Sequence, residues 1–182
     1  AAVDLAVATY GRLDIAVANA GVASVGPPEA MSFGDWKRVI DVNLTGVFLT
    51  DQAAAKAMIA AGKGGRIINL ASILGFAASM PGPAASYAAS KGAVVNLTRD
   101  LAVHLAQYGI NVNALGPAYF PSDMTAGIFE DAEIHAAINK LTPLGRTGRL
   151  EELKGPLLLL ASEASSYITG QTLYVDGGWT AW

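Results

Sequence analysis

The sequence predicts an α/β fold: a doubly wound, mostly parallel sheet with helices on both faces. Three observations carry that expectation. Short apolar runs of strand length alternate with longer stretches of helical period throughout the 182 residues. The runs lack polar alternation, as strands buried on both faces do. Polar or turn residues (Asn19, Ser72, Pro117) fall at or just after the ends of these runs, where such folds bind ligands.

Residues 1–14, AAVDLAVATYGRLD, read as the end of an amphipathic helix stopped by Gly11. They have neither the basic start nor the continuous apolar core of a signal peptide. LDIAVANAG at 13–21 is a buried strand, followed by a Gly/Pro loop at 22–28. Ser32, with Asp35 three residues on, is a variant capping box that opens a helix over 32–61, ended by GKGG. RIINLA at 66–71 is the second strand and 72–83 a loop. A helix over 84–108 precedes INVNAL at 110–115, the third strand, closed by Gly116 and Pro117. Residues 119–148 are less regular, with one helix around 132–140. EELKGPLLLLASE at 151–163 is helical, its first turns perturbed by Gly155 and Pro156. TLYVDGG at 172–178 is the fourth strand. No repeat or linker divides the chain, so residues 1–182 form one domain.

Composition narrows the function. The chain is 52% hydrophobic and 15% charged, with a mean hydropathy of +0.38. That implies a large interior, a subunit interface, or both. A net charge of −3 argues against a nucleic-acid footprint. No apolar run approaches the roughly 18 residues of a membrane span. There is no cysteine, hence no disulfide, thiolate metal site or cysteine nucleophile, which fits a cytoplasmic protein. His104 and His135 lie on separate helices with no carboxylate cluster, so no metal site is expected.

The stretch SYAASKGAVVNLTRDLAVHLA at 86–106 carries the most specific chemistry. Tyr87 and Lys91 are four residues apart, on one face at the start of a long helix. A phenol with a pKa of about 10 is a poor acid/base near neutrality, and lowering it by about two units takes roughly 3 kcal/mol. An ammonium about 4 Å away supplies up to about 4 kcal/mol at an effective dielectric of about 20. The spacing alone is weak evidence, since six tyrosines and as many lysines give ~0.2 such pairs by chance. Ser72, at a strand end, can steady a substrate oxygen or merely satisfy its own loop. Asn43 interrupts an apolar helical stretch; its amide either bonds neighbouring backbone or orders a water beside the site.

The segments ANAG (18–21), DVNLTG (41–46), INLAS (68–72), YAASK (87–91), INVNALGPAYFPSDM (110–124) and GQTLYVDGG (170–178) occur in one order and spacing. In these the chain resembles the short-chain dehydrogenase/reductase family along essentially its whole length, and within it the gluconate 5-dehydrogenases and related sugar-acid dehydrogenases. The resemblance implies a Rossmann-like fold and a cofactor, NAD or NADP. It implies that Tyr87 is the acid/base, that Lys91 lowers its pKa and holds the nicotinamide ribose, that Ser72 steadies the reacting oxygen, and that Asn43 holds a water. Asn19, Ala20 and Gly21 would border the cofactor, and Pro117, Ala118 and Ser122 the nicotinamide. The substrate would be a small secondary alcohol or ketone, a sugar acid or polyol, with 3-oxoacyl-carrier-protein reduction as the alternative. A non-catalytic oligomerisation subunit is the reading from another class.

The chain departs from the family pattern in places. Ala18 replaces the first Asn of NNAG, Gly116-Pro117-Ala118 replaces Pro-Gly, and Ser122 stands where Thr is common. The family's opening strands and glycine-rich turn, where a pyrophosphate meets a helix N-terminus, would precede Ala1. Without them the first strand is expected to be an exposed apolar edge, and the isolated chain marginally stable, poorly soluble and inactive. Arg146 is expected to be a loop-anchoring or solvated charge rather than a catalytic one, and Trp179 and Trp182 to pack at an interface rather than to close over a neighbouring subunit's site. The two long helices, with more apolar surface than one sheet covers, imply by resemblance a homotetramer.

Overall fold

The computed structural model describes residues 2–181; the expectation for Trp182 lies outside them. The chain runs α1 (Ala2–Tyr10), β1 (Ile15–Ala18), α2 (Phe33–Ile40), α3 (Gly46–Ala61), β2 (Gly65–Leu70), α4 (Ala85–Leu105), β3 (Ile110–Pro117), α5 (Ala126–Glu130), α6 (Ala132–Leu141), α7 (Lys154–Ala161) and β4 (Thr172–Val175). The four strands form one parallel sheet in the order β1-β2-β3-β4.

Period-two alternation divides the core into two layers. Ile67 and Val112 point to one face, against Ala54, Ala55, Met58 and Ala102 of α3 and α4. Ile68 and Leu115 point to the other, against Leu160 of α7. Burying each such side chain contributes about 1.5–3 kcal/mol, so the sheet is held from both sides, as its uninterrupted apolar runs require. The outer positions of β1 are less covered: Ile15 and Val17 remain 43% and 41% exposed.

Local chemistry sets the element ends. Ser32 Oγ accepts from the Asp35 amide at 3.0 Å while its hydroxyl donates to the Asp35 carboxylate, so the capping pair forms. Gly62 ends α3 at φ +66°, a conformation that costs an L side chain energy.

Several boundaries differ from the sequence expectation. The helix over 32–61 is α2 and α3 joined by a π turn at Asp41–Thr45. The first strand stops at Ala18, because Asn19 to Gly21 leave the sheet toward the site. A short helix, α5, precedes the expected one at 132–140. Pro156 causes little disruption: a 3-10 turn, Leu150–Leu153, leads into α7, placing the proline in the first turn, where no intrahelical amide is lost. The fourth strand ends at Val175, after which Asp176 caps a turn through the amides of Gly178 and Thr180, both at 2.9 Å.

Candidate active site

The carboxyl ends of β1, β2 and β3 open toward the first turns of α4. Ser72 follows β2 and caps a 3-10 turn, Ile73–Gly75, by accepting from the Leu74 amide at 3.1 Å. That turn lies directly on α4: a Cβ on Gly75 would come within 2.8 Å of the Lys91 carbonyl oxygen. Only glycine permits this approach, which fixes Ser72 against the helix carrying Tyr87 and Lys91. The Ser72 hydroxyl lies beside the Tyr87 phenol and favours its ionised form, yet burial prevails and pushes the phenol above its ordinary value.

Lys91 is 3% exposed. Its ammonium donates to the Leu70 carbonyl oxygen at the end of β2, and burial lowers its pKa to about 8. It sits 5.5 Å from the centre of the Tyr87 ring. Tyr87 and Lys91 are thus neighbours, as the spacing predicts, with the ammonium over the ring face. Burial is the largest influence on the phenol and sets its net direction upward.

Asn43 lies fully buried in the π turn. Its Oδ1 accepts from the Val22 amide at 2.8 Å, and its Nδ2 donates to the Val22 carbonyl at 2.9 Å and to Ser90 Oγ at 3.1 Å. The side chain bonds backbone, as one of the two readings from sequence has it, and ties the loop after β1 to α4. Gly21 lies in the same cluster, where a Cβ would stand 3.5 Å from Asn43 Oδ1 and 3.8 Å from Lys91 Nζ.

Ser72 and Tyr87 border a cavity of about 210 Å³ that also takes in Ala118. Pro117 is the last residue of β3. Asn19 and Ala20 are exposed just beyond β1. Ser122 is not brought to the cavity: it is exposed and its hydroxyl pairs with Thr125 Oγ1 at 2.9 Å. Tyr119 was not singled out by sequence reasoning. It lines the cavity, donates its hydroxyl to the Met80 carbonyl and packs edge-on against Trp179 at 5.3 Å. Burial, with the Tyr87 oxygen nearby, pushes its pKa up to about 12. Its place directly after Gly116-Pro117-Ala118 was the available signal. Trp179 is buried with Ile73 and Ile138. Arg146 anchors its loop, as expected, through paired bonds to Glu152 at 2.9 and 2.7 Å. His104 lies near Asp100 and His135 against Phe129.

A family model described as enoyl-(acyl carrier protein) reductase matches residues 1–180. The chain is 44% identical, over 100% of its length and 71% of the relative's, to 2-dehydro-3-deoxy-D-gluconate 5-dehydrogenase of Escherichia coli K12. It is 43% identical, with the same coverage, to cis-4-hydroxycyclohexanecarboxylate dehydrogenase of Sinomonas cyclohexanicum. Among solved structures, a gluconate 5-dehydrogenase from Burkholderia cenocepacia in complex with NADP and tartrate superposes with a TM-score of 0.95. It is 42% identical and is matched over 100% of this chain and 70% of its own.

Proposed function

The chain belongs to the short-chain dehydrogenase/reductase family, and on that premise we propose that it interconverts a secondary alcohol and a ketone with NAD or NADP. The observation that carries this is the buried Lys91 ammonium held between Leu70, Gly21 and the ring of Tyr87, which itself lines a cavity. An ammonium has three donors. Among the described residues only one hydrogen bond, to Leu70, is made. The remaining donors fit the hydroxyls of a nicotinamide ribose, and Gly21 leaves its side of the cluster without a side chain. Asn19 and Ala20, just beyond β1, and Pro117, at the end of β3, are the residues that the resemblance sets beside the cofactor. The pyrophosphate-binding glycine-rich turn of the family is not among these 182 residues.

Bound NAD or NADP supplies hydride acceptance or donation. This chain's residues handle the proton. In reduction, the Tyr87 phenol, neutral near pH 7 as any phenol is and kept so by burial, gives its proton to the substrate oxygen as the carbonyl carbon becomes a carbinol. Ser72 donates to the same oxygen and holds it in place. Lys91 stabilises the phenolate left behind, which solvent reprotonates. Asn43 acts at one remove, by holding the loop after β1 and α4 in register.

Likeness to the gluconate dehydrogenases supports a sugar acid or polyol as substrate; the family description supports an acyl-carrier substrate as the alternative. Turnover of NAD(P) with secondary alcohols, polyhydroxy acids and acyl thioesters tests the reading. We expect activity with at least one class when the chain is joined to a glycine-rich cofactor-binding segment, and none from these 182 residues alone. A folded, cofactor-binding protein that oxidises or reduces none would overturn it.

A further inference from the structure

Resting on the oxidoreductase reading above, but against the sugar-acid likeness, we infer that the substrate is uncharged and apolar apart from its reacting oxygen: a small alicyclic or short aliphatic secondary alcohol or ketone. A cavity of about 210 Å³ beside Tyr87 has room for such a ring or chain. The chemistry follows from the lining. Its wall is mostly apolar, with Val25, Leu74, Met80, Met124, Ile128 and Ile134 its large side chains, and among the described residues no Lys, Arg, His, Asp or Glu lines it.

The hydroxyls that do line it are mostly committed inward. Ser79 Oγ donates to the Gly82 carbonyl at 2.5 Å. Thr125 Oγ1 donates to the Phe120 carbonyl at 2.6 Å. Tyr119 donates to the Met80 carbonyl. Ser72 accepts from the Leu74 amide and its hydroxyl faces the Tyr87 phenol. The two hydroxyls not committed to backbone carbonyls therefore stand together at the reacting end. A polyhydroxy acid entering this cavity would strip water from a carboxylate and several hydroxyls without replacing those bonds, an unfavourable exchange. An apolar ring or chain requires only one polar anchor, and the site supplies it. In oxidation Tyr87 first releases its proton to solvent; the phenolate then takes the O–H proton, the C=O bond forms, and the carbinol hydride passes to bound NAD or NADP in its oxidised form.

Binding and turnover separate this inference from the reading beneath it. Saturation-transfer NMR with the full chain should show cyclohexanone binding saturably, with gluconate unable to displace it. In turnover by the chain joined to the cofactor-binding segment, kcat/KM for cyclohexanol should exceed that for gluconate and galactitol by about 100-fold or more. Ile134, 36% exposed on α6, tolerates a long polar side chain, so Ile134→Arg should weaken cyclohexanone binding about 10-fold and admit gluconate. Met124→Lys on the neighbouring wall serves as a second variant. Displacement of cyclohexanone by gluconate, or no binding of cyclohexanone, overturns the inference. Preferential binding without turnover by a cofactor-loaded protein would leave the inference standing and overturn the oxidoreductase reading.

Discussion

At the scale of the residue, the account turns on Tyr87 and Lys91. Burial raises one and lowers the other, so at neutral pH the phenol is an acid and the ammonium is only modestly protected from losing its proton. The free-protein pKa values appear in kcat/KM. With Lys91 lowered to about 8, kcat/KM for ketone reduction should be level below that pH and fall above it, as the charge that stabilises the phenolate is lost. A profile with no break within about a unit of that value would contradict the role given to Lys91. The pair was legible in sequence because helical spacing fixes which side chains are neighbours. Its electrostatics were not. Whether an ammonium meets the oxygen or the face of a ring depends on rotamers and on the Leu70 carbonyl, which spacing does not encode.

At the scale of the element, buried amides organise the fold. Asn43 stitches the loop after β1 to α4, and Asn113 holds the start of β4 by donating to the Ile168 carbonyl at 2.8 Å and accepting from the Gln171 amide at 3.0 Å. The π turn around Asn43 was not legible. It adds one residue to a helical turn without interrupting the apolar pattern, and only the misplaced Asn marks it. A second buried pair joins α3 to β2: Asp51, 1% exposed, accepts from Asn69 Nδ2 at 3.0 Å, while Asp51 Oδ1 and Asn69 Oδ1 have no partner. Burial raises the Asp51 pKa from 3.8 to about 7. The folded state then keeps a proton that the unfolded chain has released. Stability from this group is full below about pH 4, falls as pH rises toward 7, and is level above. Asp51→Asn removes the buried charge and supplies a donor near Asn69. It should raise Tm at about pH 8, by about 1–3 kcal/mol of stability, and flatten the dependence across that window. Thermal melts of both proteins at about pH 5 and about pH 8 decide it, and a lower Tm for the variant at the higher pH would contradict the account.

At the scale of the whole molecule, apolar surface is distributed unevenly. Leu49 on α3 and Val103 on α4 are 55% and 73% exposed, with Phe48 and Trp36 partly so. Such a surface supports the homotetramer expected from the paired helices. Light scattering should find an oligomer, and Leu49→Glu with Val103→Glu should dissociate it; a wild-type monomer would count against this reading. The fold class was legible because apolar runs and helical periods alternate over the full length, a signal that averages over many residues. The cavity was less so: its wall combines the loop after β1, the segment around Met80, the turn after β3 and the helices α5 and α6, and which side chains converge there is a property of the closed fold. The central claim is that this chain moves a proton through Tyr87 while a hydride moves to or from NAD(P). The most direct measurement is transfer of deuterium from the C4 position of labelled NADH or NADPH to the carbonyl carbon of a ketone, in the wild-type protein and in Tyr87→Phe, both joined to the cofactor-binding segment. We predict label in the product alcohol of the wild type and a rate about 10²–10⁴-fold lower in the variant, with its fold intact. Equal transfer by both proteins, or none by a folded wild type, would contradict the account.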